Sequence, residues 1–230
     1  MSAHKPTKTI DEVFEEFLAD QEVRLSERTF RQYESMIGLY GSYLESYWPD
    51  CDEKEYRRIT GAGGTYCGTL GPDGIAGGIS EFLGYFMPRK VAAGKDTMRA
   101  AGTVTKKLVK WLAEKGYVED EEALEVAEER AGEAARDLPA ASEVANWLET
   151  YIDEHSPARY SRQIEDHFTV SRIEPGKLWL EPLISGDRKI GPVPVPHEVS
   201  QQCRVGWDIS GIVAKTAKGW RFWEVWNVTP

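Results

Sequence analysis

The sequence predicts an α+β chain: an N-terminal all-helical bundle, an acidic helical connector and a small C-terminal β-barrel of SH3-like or OB-like closure. Three observations predict it. Apolar residues recur at helical spacing through the first two thirds of the chain. From Phe168 the apolar period switches to 2. Short alternating runs, separated by Gly and Pro turns, then fill the tail. The expected boundaries are a helical domain over 1–118 with a Gly-rich insertion at 50–77, an acidic segment over 119–156 and a barrel over 157–230. With 41% hydrophobic residues, the chain can bury a real core.

The first helix follows Thr9, which pairs with Glu12 as a capping box, and its inner face is Ile10, Val13, Phe14, Phe17 and Leu18. The second starts at Ser26 and carries Phe30, Tyr33, Ile37, Tyr40 and Leu44. It ends near Tyr47, because Trp48-Pro49-Asp50 opens a turn. Residues 50–77 read as one long irregular loop, studded with glycines from Gly61 to Gly77. It does not match a phosphate loop, since Gly61-Ala-Gly-Gly-Thr-Tyr66 lacks the required lysine. A third helix covers 79–87, with Ile79, Phe82, Leu83 and Phe86 inward. A fourth begins near Asp96 or Thr97, buries Met98, Ala101, Val104, Leu108, Trp111 and Leu112, and is capped by Gly116. Arg99, Thr103, Lys106 and Lys110 line up on its opposite face, with Lys107 beside them.

The acidic segment reads as two helices broken at Leu138-Pro139. The first turns Leu124, Val126, Ala127, Ala131 and Ala135 inward, and the second Val144, Trp147, Leu148, Tyr151 and Ile152. Beyond it come strands at 168–173, 178–184 and 189–195, a helical turn at 197–203, and a hairpin of 205–213 with 220–228 across Lys215–Gly219. The proline-bounded third strand suits an edge. On strict alternation, Trp220, Phe222, Glu224 and Trp226 share one face of the last strand, and Arg221, Trp223, Val225 and Asn227 the other. One face enters the barrel core, and the other then exposes an aromatic beside an Arg. Trp223 with Arg221 is therefore the candidate partner-binding pair.

The net charge of −10 is unevenly spread: −1 over 1–118, −11 over 119–156 and +2 over 157–230. The acidic run is a solvated face, and the flanking parts are free to present local basic surfaces. Cys51, Cys67 and Cys203 form no CxxC pair, so neither a disulfide framework nor a structural zinc site is expected. No catalytic motif occurs, and His4, His155, His167 and His197 are scattered, so the chain reads as non-catalytic, without cofactor or metal. Adjacent Asp166 and His167 read as the polar start of a strand. No apolar run reaches membrane-spanning length and no signal core opens the sequence, which points to the cytoplasm.

Two stretches carry a family resemblance. Thr9-Ile-Asp-Glu-Val-Phe-Glu-Glu-Phe-Leu18 with Ser26-Glu-Arg-Thr-Phe-Arg-Gln-Tyr33, and Ile79-Ser-Glu-Phe-Leu-Gly-Tyr-Phe86 with Asp96–Tyr117, resemble the SAM-like core-binding domain of tyrosine recombinases, the phage integrases. The resemblance covers about half the chain. It implies half a clamp around duplex DNA, with phosphate contacts from Arg28 and Arg31 on the second helix. On the fourth helix it implies contacts from Arg99, Thr103, Lys106, Lys107 and Lys110. The family's catalytic domain has no counterpart, since no histidine begins an HxxR pair. The expectation is a non-catalytic duplex-binding or recombinase-accessory protein. The alternative is a protein-interaction adaptor that works through its Trp-rich barrel without nucleic acid.

Overall fold

The computed structural model describes residues 8–47, 51–156, 159–186 and 189–230. Helix makes up 56% and strand 20%, a mixed fold whose C-terminal part is a curled five-stranded antiparallel half-barrel. The chain divides into two compact units: residues 1–87 with 99–135, and residues 88–98 with 136–230. The acidic segment is thus shared between the two units, and residues 88–98, which include the first turn of the fourth helix, belong with the β-strands.

In the first unit the capping signals act as read. The Thr9 hydroxyl accepts from the Glu12 amide at 3.3 Å and Glu12 returns to the Thr9 amide at 2.7 Å, opening α1 (Ile10–Glu22). Ser26 caps α2 (Glu27–Ser46), which ends at Tyr47; the turn read at Trp48-Pro49-Asp50 lies outside the described residues. The loop reading of 50–77 is corrected. Asp52 caps α3 (Glu53–Gly61), where Arg57 pairs with Glu53 at 2.6 Å and Arg58 with Glu55 at 3.4 Å. A short α4 spans Asp73–Gly77. The glycines cluster after 60, and the stretch before them is a charged helix supported by same-face pairs. The irregular remainder is tied down. Cys67 and Leu70 carbonyls accept from the Asp11 and Ile10 amides, and the Glu45 carboxylate accepts from the Tyr66 and Cys67 amides.

The third helix is α5 (Ile79–Glu81) and α6 (Met87–Lys90) joined by a π-helical turn, Phe82–Phe86. The one-residue offset of a π-turn lets Phe82, Leu83, Phe86 and Met87 all bury. Phe82 and Phe86 pack on Tyr43 with ring centroids 5.4 and 5.1 Å away. The fourth helix, α7, spans Lys95–Lys115. Gly116 ends it at φ 68°, with Gly116 donating to Ala113 and Tyr117 to Leu112, a Schellman pair.

The expected break at Leu138-Pro139 does not occur. A single helix, α8, runs Glu121–His155 with Pro139 inside it. An interior proline costs about 3 kcal/mol. Burial of Leu138, Ala140, Ala141 and Val144 around it offsets that cost. In the first unit, α8 meets α7 at Gly102, whose missing Cβ would lie 2.2 Å from the Ala135 nitrogen. The backbones touch, and any side chain at 102 would collide with main chain that cannot yield. Leu124, Ala127, Ala131 and Ala134 line the buried edge; Val126, expected there, is 47% exposed and Ala135 half-buried. The helix has turned its smallest residues to the contact.

The second unit is built on β1 (Arg162–Glu174), β2 (Lys177–Pro182), β3 (Ile190–Pro194), β4 (Asp208–Thr216) and β5 (Gly219–Thr229), with α9 (His197–Gln202) between β3 and β4. The strand order is β3-β2-β1-β4-β5, so the proline-rich strand is an edge as expected. The sheet curls until β3 and β5 approach each other. Its concave side, with Phe168, Val170, Leu178, Leu180, Ile209, Val213 and Phe222, packs on Val144, Leu148 and Ile152 of α8.

Glycine contacts give a paired test. Gly102→Ala should destabilise by about 1–3 kcal/mol through overpacking. Gly38→Ala on α2, where nothing lies within 4 Å of a built Cβ, should be neutral or stabilise by about 0.5–1 kcal/mol. Urea denaturation of each full-length variant measures both, and equal effects would contradict the α7–α8 contact.

Candidate interaction surfaces

The basic stripe of α7 does face outward. Arg99, Thr103 and Lys110 are exposed and Lys106 and Lys107 half-buried. Its surroundings differ from the expectation. Glu128 of α8 lies 3.2 Å from the Lys110 ammonium and 4.0 Å from that of Lys106. Lys106 also extends over Gly132, whose built Cβ would lie 3.3 Å from its ammonium. The Thr103 hydroxyl is turned back, donating to the Arg99 carbonyl at 3.0 Å. Arg28 and Arg31 are exposed on the first turns of α2, and Arg31 pairs with Glu27 one turn earlier. Nearby, Lys115 bridges Glu16 at 3.0 Å and Asp20 at 3.1 Å, and the Trp111 indole donates to Asp20 at 2.8 Å. Hydrogen bonds from Lys8, Tyr117 and Lys115 hold the Glu16 carboxyl down at about 2. Counted over the unit that actually folds together, 14 basic residues face 24 acidic ones, net −10. The second unit, with 14 of each, is neutral.

The last strand departs from strict alternation. Its pairing with β4 skips two residues: Ser210 faces Asn227 and Gly211 faces Val225, then Ile212 faces Glu224 and Val213 faces Phe222. The skipped residues are Trp226 and Trp223. These two β-bulges rephase the strand, so that Phe222, Val225 and Val228 are buried at intervals of three. The bulges crowd the partner strand, which answers with Gly211: a Cβ there would sit 2.2 Å from the Glu224 carbonyl oxygen. Trp226 is left 44% exposed, its indole donating to Glu224 at 2.8 Å. Trp223 is half-buried and meets Tyr160 edge-on at 5.0 Å. Arg221, half-buried, donates to the Trp220 carbonyl at 2.8 Å. Trp226 also walls a cleft of about 330 Å³, with Pro88, Met98, Ala145, Glu149 and Asn227 around it.

Asp166 and His167 are more than a polar strand start, yet they form no dyad. Asp166 is buried, and its carboxylate accepts from the amides of His167, Leu183, Ile184 and Ser185, pinning the segment after β2. The His167 imidazole instead contacts Ser210 Oγ at 2.5 Å. Among the described residues no group of three or more His, Cys, Asp or Glu side chains is placed to hold a metal. No helix among them is long and apolar enough to cross a membrane.

No protein-family model, curated protein or solved structure matches the chain. The recombinase resemblance therefore rests on the residues that carry it.

Sequence reasoning made Trp223 the candidate contact, left open which face of the last strand lies outside, and put Trp226 with Phe222, because a bulge leaves no trace in simple alternation. Gly211, inside the partner strand and beside the Trp226 bulge, is the one readable hint, since glycine inside a strand marks a bulge or a close backbone approach.

Burial raises the Asp166 pKa, but hydrogen bonds from Ser185, Ile184 and His167 outweigh it and lower it below its ordinary 3.8. A group held down when folded stabilises above its unfolded pKa and loses that stabilisation as pH falls through the folded value. Asp166→Asn should therefore lose stability at pH 7, and the gap from wild type should close on acidification below about pH 4. Thermal melts between pH 2 and 7 check this; a gap independent of pH would contradict it.

Proposed function

We propose that this chain is a non-catalytic, cytoplasmic protein-interaction adaptor that receives a peptide segment of its partner on β5. The observation that carries the reading is the pair of bulges that turn Trp223 and Trp226 outward, with Trp226 beside a cleft able to hold an apolar side chain. Exposed aromatics on rigid strands supply contact area at low entropic cost and are preferred anchors of interfaces. In this reading the half-barrel is an SH3-like or OB-like module. The helical unit, SAM-like in pattern, is a scaffold whose net −10 disfavours a polyanion.

One observation favours a second reading, duplex binding by the helical unit: Arg99, Thr103, Lys106, Lys107 and Lys110 share the outward side of α7. Under that reading Glu128 competes with phosphate for Lys106 and Lys110.

Two assays on the full chain separate the readings. Random-peptide display should enrich sequences whose binding shifts tryptophan emission, persists at high salt and weakens at least about tenfold in Trp226→Ala and Trp223→Ala. Labelled duplex DNA should show no binding at physiological salt. Salt-sensitive duplex binding, lost in the Lys106→Glu, Lys107→Glu, Lys110→Glu variant and kept in the tryptophan variants, would overturn the adaptor reading.

A further inference from the structure

A groove of about 570 Å³ runs between α1 and α2 in the helical unit. Its floor is apolar: Phe14, Leu18 and Ile37. Two α2 residues on the same side, Gly38 and Gly41, keep it open. A Cβ at Gly38 would meet nothing within 4 Å, and one at Gly41 would meet only the Phe14 ring at 3.7 Å. Glycine costs a helix interior roughly 0.5–1 kcal/mol relative to alanine, and at Gly38 no neighbour demands it.

The rim is of one sign. Asp11 and Glu15 from α1 stand with Glu34 and Glu45 from α2, and among the described residues no Lys, Arg or His lines the groove. Of the four, Glu45 is committed to the Tyr66 and Cys67 amides at 2.8 and 3.0 Å. Asp11 is held above its ordinary pKa by partial burial and by the charges of Glu45 and Glu15. An apolar floor within a ring of carboxylates lacks a counter-charge and a covering apolar surface. One ligand class supplies both.

We propose that this groove docks a basic amphipathic peptide segment, its Leu or Phe side chains on the Phe14–Ile37 floor and its Lys or Arg side chains on the Asp11, Glu15 and Glu34 rim. The inference goes beyond the β5 reading and rests on the other unit, so either can fail alone. Apolar contact gives the segment its affinity and the rim its choice of sign.

The test uses the full chain and a fluorescein-labelled Leu/Lys peptide of about 14 residues, some 21 Å long as a helix. Anisotropy is read at about 150 mM salt, where screening beyond roughly 8 Å removes diffuse attraction to the acidic unit. Wild type should bind, and the matching Leu/Glu peptide should not. Gly38→Leu fills the groove without changing charge and should weaken binding at least about tenfold, with the melting temperature kept or raised. Glu15→Gln with Glu34→Gln should weaken it comparably, while Glu121→Gln with Glu125→Gln, exposed on α8, should not. Equal binding by Gly38→Leu and wild type, or equal loss in the α8 control, would overturn the proposal in favour of diffuse charge attraction. Spermine binding with the same Gly38→Leu sensitivity would assign the groove to a polyamine and also overturn it. So would a concentration-dependent dimer abolished by Gly38→Leu, which would give the groove to a second copy.

Discussion

The helical unit depends on the backbone contact between Gly102 and Ala135. Because residue 102 has no side chain, the first half of α8 can lie directly on α7. Leu124, Ala127, Ala131 and Ala134 then bury along the seam. The ion pairs from Glu128 follow from that packing rather than cause it. Exposed pairs contribute about 0.2–1 kcal/mol each, whereas burying one large apolar side chain contributes about 1.5–3 kcal/mol. Charge is the passenger, yet it decides the chemistry of the surface. The packing brings Glu128 within reach of Lys106 and Lys110 and adds residues 119–135, net −7, to the unit; with residues 88–98, net +2, in the other unit, it is net −10 where residues 1–118 are net −1.

This is why the sequence conveyed the elements better than the surface. The Thr9 capping box, the Ser26 cap, the Gly116 terminus and the switch to period 2 at Phe168 are local signals, and local hydrogen bonding decides them. What failed was set by tertiary contact or by a competing local cue. Pro139 is a breaker by propensity but sits inside a helix whose flanks are buried. Glycines at 61–77 masked the charged helix Glu53–Gly61 ahead of them. The partner of the α7 stripe was unreadable, because the acidic run that reaches it looks in one dimension like any solvated face.

The same division holds in the β-unit. Strand number, the edge position of the proline-rich strand and the hairpin of the last two strands follow from alternation and turn residues. The outward turn of Trp223 and Trp226 does not, since each bulge is a property of the pairing between two strands. Gly211 shows the constraint from the other side: it admits the Glu224 carbonyl at a distance no side chain would allow. The candidate surfaces thus lie where local rules break, at two bulges in one unit and at two unforced glycines beside a carboxylate rim in the other.

The central claim is that α8 lies against α7 with Glu128 engaging two of the stripe lysines, Lys106 and Lys110. Proton–nitrogen correlation of the lysine side-chain ammonium groups tests it most directly. The account predicts that the Lys106 and Lys110 signals shift in Glu128→Gln, stay put in Glu122→Gln, and do not respond to duplex DNA at physiological salt. Signals indifferent to Glu128→Gln that move on adding duplex would contradict it.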